Sequence, residues 1–168
     1  MHTAIARETM LDPRFTDSRI GIHRALKPGG YIELTDHDLY PVCIDDTLKP
    51  DSPLLSFCDH MVAAGGKMGL DFLVPRDFKN ILQDAGYENV TEVTKVCPLN
   101  TWPKDQRLKQ IGLFQREQAL DGLSGIGMGL FTRGLGWSPE EVELFNIEVS
   151  STYHWYSTLI EAEDPWTK

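Results

Sequence analysis

The spacing of apolar residues in the first third of the chain predicts a helix, a strand and a second helix. Phe15, Ile22 and Leu26 fall on one helical face, and Pro28-Gly29-Gly30 ends that segment. Alternation from Tyr31 to Thr35 predicts a strand. Ser52-Pro53 is typical of a helix start, and the helix that follows carries a buried stripe of Leu54, Cys58 and Met61 up to Gly65-Gly66.

The remaining two thirds predict several helices and two more strands. The clearest helix runs from Pro75 to Ala85 before Gly86, and a β-branched run from Val90 to Val96 predicts an edge strand. The glycine-rich but apolar stretch 122–137 predicts a helix that packs closely against a neighbour. The other predicted elements are a polar helix over about 104–120, a helix opened by a capping box at Ser138–Glu141 and a buried terminal strand over 153–160.

Charge and composition exclude several classes of function. The 168 residues carry a net charge of −9, which opposes binding to a phosphate backbone, so we expect no nucleic-acid partner. No apolar run approaches the roughly 20 residues that span a bilayer, and we expect no membrane partner. Charges at Arg7 and Glu8 disfavour a signal peptide, and Cys43, Cys58 and Cys97 fit neither a disulfide framework nor a zinc site. We expect reduced thiols and a cytoplasmic protein, nuclear if it is regulatory.

Four segments, in this order and at these distances, resemble a known family. They are LKPGGYIELTD (26–36), DFKNILQDAGYENV (77–90), NTWPKDQRLKQIG (100–112) and LGWSPEEVELF (135–145). Together they resemble the C-terminal half of fungal LaeA-like methyltransferases, which are class I, Rossmann-like enzymes that use S-adenosylmethionine. The resemblance implies an α/β fold in one methyltransferase-like domain over 1–168, with a helical lid segment at about 100–150.

The sequence departs from that family at the site that binds the methyl donor. The resemblance places the family's donor-binding strands before Met1, and GIGMG (125–129) follows a helical stretch rather than a strand. The chain is therefore expected to keep a small, mixed, three-stranded sheet in the family's order 5-7-6, with no cofactor or metal of its own. S-adenosylmethionine is expected only if another chain supplies the donor half. The strand from Tyr31 to Thr35 then becomes a sheet edge, and we expect a homodimer through it.

Candidate site residues fall in three places. Asp36, His37 and Asp38 follow a strand, where open α/β sheets bind ligands, with His37 as a general base and the aspartates as substrate contacts. A solvated strand end explains the same residues equally well. In the family-like segment before the polar helix, Trp102 is a candidate pocket wall and Lys104 a candidate catalytic contact; the alternative is a surface lysine beside a packed tryptophan.

The third place holds aromatic and flexible apolar residues. Near the C-terminus, Tyr153 and His154 are candidate catalytic groups and Trp155 a substrate contact, although stacking in a core explains these rings as well. An adaptable substrate pocket is predicted from Phe114, Met128 and Phe131, with ordinary core packing as the alternative.

Three functions are compatible with the sequence. The first is a repurposed enzyme of natural-product biosynthesis that isomerises or cyclises a small apolar metabolite by positioning it, without methyl transfer. The second is a non-catalytic regulator, because the resemblance implies velvet-type partners. The third is a methyltransferase fragment that another chain completes.

Overall fold

A computed structural model describes residues 1–7, 26–27, 29–43 and 48–158, without the side chains of 153–158. The chain divides into two compact units. The sheet unit comprises Met1–Asp38 and Leu73–Val96, and the helical unit comprises Leu39–Phe72 and Cys97–Lys168. The single domain predicted from the sequence stays a prediction.

Among its described residues, the sheet unit contains three antiparallel strands. These are β1 (His2–Arg7), β2 (Tyr31–Asp36) and β3 (Glu88–Thr94), in the order β2-β1-β3. Strand β1 therefore forms the centre, with His2 opposite Asp36 on one side and opposite Thr94 on the other. The predicted strands at Tyr31 and Val90 are confirmed, and both are edges of the sheet among the described residues.

Two features of the predicted sheet were wrong. Its third strand is His2–Arg7, and its strands are antiparallel rather than mixed. The sequence did not predict β1, because His2–Arg7 is short and contains two alanines, which are poor strand formers. Those alanines, Ala4 and Ala6, are fully buried in one cluster with Phe78 and Leu82. Small side chains at the sheet centre give room for the helix that packs on it, so tertiary packing overrides propensity here.

The helix of the sheet unit lies where the sequence predicted it. A 3-10 turn (Val74–Asp77) leads into α2 (Phe78–Asp84), which buries Phe78 and Leu82. Gly86 follows with a φ of 85°, the left-handed conformation that ends many helices.

Three α-helices form most of the described part of the helical unit. They are α1 (Pro53–Lys67), α3 (Gln106–Leu130) and α4 (Pro139–Thr158). Ser52 caps α1 by accepting a hydrogen bond from the Leu54 amide at 3.2 Å, and the predicted stripe of Leu54, Cys58 and Met61 is buried. The capping box is also confirmed: the Ser138 amide donates to Glu141 at 2.7 Å, and the Glu141 amide donates to the Ser138 hydroxyl at 3.2 Å.

Helix α3 is continuous through the glycine-rich stretch and ends in a π-helical turn, Phe131–Leu135. The close packing predicted for this stretch is confirmed at Gly134, where an added Cβ would lie 2.8 Å from backbone and side-chain atoms of Ala64 on α1. Gly136, with a φ of 78°, then redirects the chain toward α4.

Two other predicted elements have different outcomes. The predicted terminal strand was wrong, because residues 153–158 continue α4. The capping box starts this helix, and the buried Val142 and Val149 pack it against the core. The first predicted helix, around Phe15 to Leu26, lies largely outside the described residues. Among the described helices, none is both long enough and apolar enough to cross a membrane.

Candidate functional site

Polar side chains gather at one end of the sheet. Strands β2 and β3 both run opposite to β1, so their carboxyl ends lie beside the start of β1. His2 is thereby placed between Asp38, which follows β2, and Glu92 on β3. Its Nε2 lies 3.8 Å from an Asp38 carboxylate oxygen, and its Nδ1 lies 3.8 Å from a Glu92 carboxylate oxygen.

Arg76 fixes the position of the Asp38 carboxylate. Its Nε donates to Oδ2 at 2.8 Å and its Nη2 donates to Oδ1 at 2.7 Å, a bidentate contact. His2 is too far from either carboxylate for a hydrogen bond, so it contributes an ion pair only when protonated. This strand-end cluster, His2, Asp38, Arg76 and Glu92, orders the sheet end.

The helical unit contains a second cluster, in which aromatic rings surround a histidine. The His60 ring centroid lies 4.8 Å from that of Trp137, 5.3 Å from Phe145 and 5.9 Å from Phe131, each with a steep interplanar angle. Its Nδ1 lies 2.6 Å from the Ser56 carbonyl oxygen. Because a carbonyl only accepts, Nδ1 is the donor in this contact.

An open groove of about 330 Å³ lies beside this aromatic cluster. It is lined by Trp137, Glu141, Leu144, Phe145 and Glu148. Four of these residues, at positions 141, 144, 145 and 148, have the spacing of one face of α4, and Trp137 precedes that helix. Trp137 and Phe145 thus belong to both the groove and the aromatic cluster, and their rings meet at 75° with centroids 5.5 Å apart.

Comparison with known proteins finds fungal methyltransferases and a regulator of secondary metabolism. Methyltransferase pytC of Aspergillus terreus is 34% identical over 124 residues, which cover 74% of this chain and 38% of that protein. The secondary metabolism regulator LAE1 of Cochliobolus heterostrophus is 32% identical over 69% of this chain and 38% of its own. Probable methyltransferase tdiE of Emericella nidulans is 29% identical over 72% of this chain and 38% of its own length.

The chain is a relative of fungal LaeA-like methyltransferases. This confirms the resemblance inferred from the four sequence segments. The chain spans 38% of the length of each of the three relatives described above. No protein-family model and no solved structure matches it.

The methyl-donor loop of such methyltransferases has no counterpart among the described residues. GIGMG (125–129) lies inside α3, so its backbone amides belong to a helix rather than to a loop after a strand. The described part of this LaeA-like chain therefore offers no such loop to S-adenosylmethionine, and the expectation that the chain has no cofactor of its own stays a prediction. The described part also contains no group of three or more side chains suited to hold a metal ion.

The predicted site residues of the sheet unit are only partly brought together. Asp38 joins the strand-end cluster. Asp36 and His37 are exposed, and the His37 amide donates to the Asp36 carboxylate at 2.7 Å, a contact between neighbours in sequence. The roles of all three in catalysis or binding stay predictions.

The predicted residues of the helical unit are spread over its surface and core. Phe131 is fully buried in the aromatic cluster, and Met128 packs against the same core, whereas Phe114 is 73% exposed. Lys104 is exposed and Trp102 is half-buried ahead of α3. Tyr153, His154 and Trp155 lie in the last turns of α4, and their side chains are outside the described residues.

Sequence reasoning missed the residues that the structure groups most closely. His60 was not among the predicted site residues, yet it is half-buried among the rings. Its spacing carried the signal, because His60 follows the buried Phe57 by three residues and precedes the buried Ala64 by four. His2 was missed together with its strand, and Arg76 offered no signal because its partner lies 38 residues away.

Proposed function

We propose that this methyltransferase-like chain binds a small aromatic metabolite of fungal secondary metabolism in the groove on α4. The observation that carries the proposal is the double role of Trp137 and Phe145, which hold His60 and also line the groove. Rings fixed on one side by the aromatic cluster present a preorganised apolar wall on the other. Such a wall binds a planar ligand without a large ordering cost.

The shape of the groove sets the expected strength of binding. A buried aromatic ring removes roughly 150–250 Å² of surface from water, but an open groove covers only part of a ligand. For a single-ring probe we therefore expect a Kd of about 1 mM, equivalent to about −4 kcal/mol. A natural substrate with several rings would cover more of Leu144 and bind more tightly.

For the reaction, we propose less detail than for the binding. Several relatives are named methyltransferases, but the described residues include no glycine-rich loop after a strand, so methyl transfer would need donor-binding residues outside them. The isomerisation or cyclisation predicted from the sequence needs only a positioned substrate, and it stays a prediction. Two relatives named as secondary metabolism regulators keep the regulatory alternative in view.

The proposal is tested by NMR titration of the four tryptophan indole N–H signals with 2-phenylethanol. We expect the Trp137 signal, assigned with Trp137→Phe, to shift more than that of Trp102. Leu144→Glu should abolish the shift because it places a charge on the apolar wall. Ile147→Glu is the matched control, since Ile147 is 67% exposed on the same helix, against 69% for Leu144, but does not line the groove.

Two results would overturn this function. One is a Trp137 signal that does not move, or that moves equally in both glutamate variants. The other concerns the donor: calorimetric binding of S-adenosylmethionine at micromolar affinity would show that the chain has its own donor site.

A further inference from the structure

The groove carries negative charge as well as aromatic rings. Glu141 and Glu148 belong to its lining, and both are exposed, whereas none of the described lining residues is basic. Seven residues separate them, so they lie on one face of α4 about 10 Å apart along its axis. A ligand in the groove therefore lies between or beside two carboxylates.

The capping box orients one of these carboxylates. One oxygen of Glu141 accepts the Ser138 amide at 2.7 Å, which holds the side chain at the first turn of α4. The other oxygen keeps its lone pairs for a ligand. Glu141 lies one helical turn before Phe145 on α4, and Trp137 lines the same groove, so the fixed carboxylate lies beside both rings.

Rings and carboxylates together select a particular chemistry. The faces of tryptophan and phenylalanine attract a cation through the ring quadrupole, and an adjacent carboxylate adds direct attraction. An anion would be repelled by both glutamates and by the net charge of −9. A neutral ligand would gain at most a hydrogen bond from the carboxylates, without charge attraction, and would partly remove their water.

We propose that the ligand of this groove is a small aromatic metabolite with a protonated amine. The inference rests on the proposed function, since it names the class of metabolite bound in the same groove. The aromatic part lies against Trp137 and Phe145, and the ammonium group contacts Glu141 or Glu148.

The test compares two probes that differ mainly in charge. Phenethylamine is protonated at pH 7, and 2-phenylethanol is its neutral counterpart of similar size. In the Trp137 indole titration we expect phenethylamine to bind about 5-fold to 10-fold more tightly, through cation–π and carboxylate contacts. Raising the salt concentration should reduce that preference, because exposed charges are screened.

The variant Glu141→Gln/Glu148→Gln assigns the preference to the carboxylates. Glutamine still accepts the Ser138 amide, so the capping box and the start of α4 are retained. We expect the double variant to lose most of the preference and to keep only the part that the rings contribute through cation–π contacts. Glu143→Gln is the matched control, because Glu143 is exposed on α4 but does not line the groove, and it should keep the preference.

The outcomes separate this inference from the proposed function. If both probes bind equally to the unaltered protein, the groove binds aromatic metabolites but the cation inference is wrong. If the preference survives undiminished in the double glutamine variant, the carboxylates do not contribute to it and the inference is again wrong. A lysine-rich peptide that shifts Trp137 at lower concentration than phenethylamine would replace the small molecule with a basic protein partner.

Discussion

At the scale of single residues, His60 connects the core of the helical unit to its candidate site. Its ring contacts Phe131, which is fully buried, and also Trp137 and Phe145, which line the groove. A polar ring is tolerated there because the Ser56 carbonyl accepts its Nδ1 proton. The position of the groove rings therefore depends on this side chain.

We expect His60→Ala to destabilise the helical unit by about 1–3 kcal/mol, because it leaves a cavity among three rings. Urea denaturation followed by tryptophan fluorescence reports on this unit, since Trp102 and Trp137 belong to it and the ranges of the sheet unit contain no tryptophan. Lys67→Ala, an exposed change on the same helix, should stay within about 0.5 kcal/mol. Equal effects of the two substitutions would contradict the contact geometry.

At the scale of the elements, the approach of the π-helical turn to α1 sets how closely the helices pack. Gly134→Ala would place a methyl group 2.8 Å from the backbone of Ala64, so we expect a loss of about 1–3 kcal/mol in unfolding free energy. Gly129→Ala is the control, because no atom lies within 4 Å of its added Cβ inside α3. There we expect a gain of about 0.5–1 kcal/mol, and a loss of similar size at both sites in urea denaturation would contradict the packing.

Local signals predicted most of these elements. The caps at Ser52 and Ser138 and the apolar spacing of α2 depend on residues within one or two turns, so the sequence shows them directly. The strand predicted at 153–160 failed because a run of aromatic and β-branched residues does not reveal its period. These residues are helical because they continue the long helix α4, whose buried Val142 and Val149 pack against the core.

At the scale of the whole molecule, the family was predictable and the arrangement of the sheet was not. Four separate segments carried the family resemblance, and any of them could be read without the fold. The centre of the sheet depends on His2–Arg7, whose partners are about 30 and 90 residues away. Pairing at such distances leaves no local pattern, so both β1 and the cluster of His2 with Asp38 were missed.

The homodimer through β2 stays a prediction, and the strand order gives it a definite test. Strand β2 pairs with β1 on one side, no strand pairs with its other side among the described residues, and Tyr31 is 67% exposed. An open edge of this kind pairs readily with a second copy, and lysines on an edge block such pairing.

We therefore expect the unaltered chain to sediment as a dimer at micromolar concentration, and Tyr31→Lys/Thr35→Lys to sediment as a monomer. The other edge strand supplies the control: Thr91→Lys on β3 changes an exposed residue and should leave the dimer intact. Dissociation by Thr91→Lys alone would move the interface to β3. A monodisperse monomer of the unaltered chain would remove the dimer altogether, because edge pairing strong enough to matter must persist at that concentration.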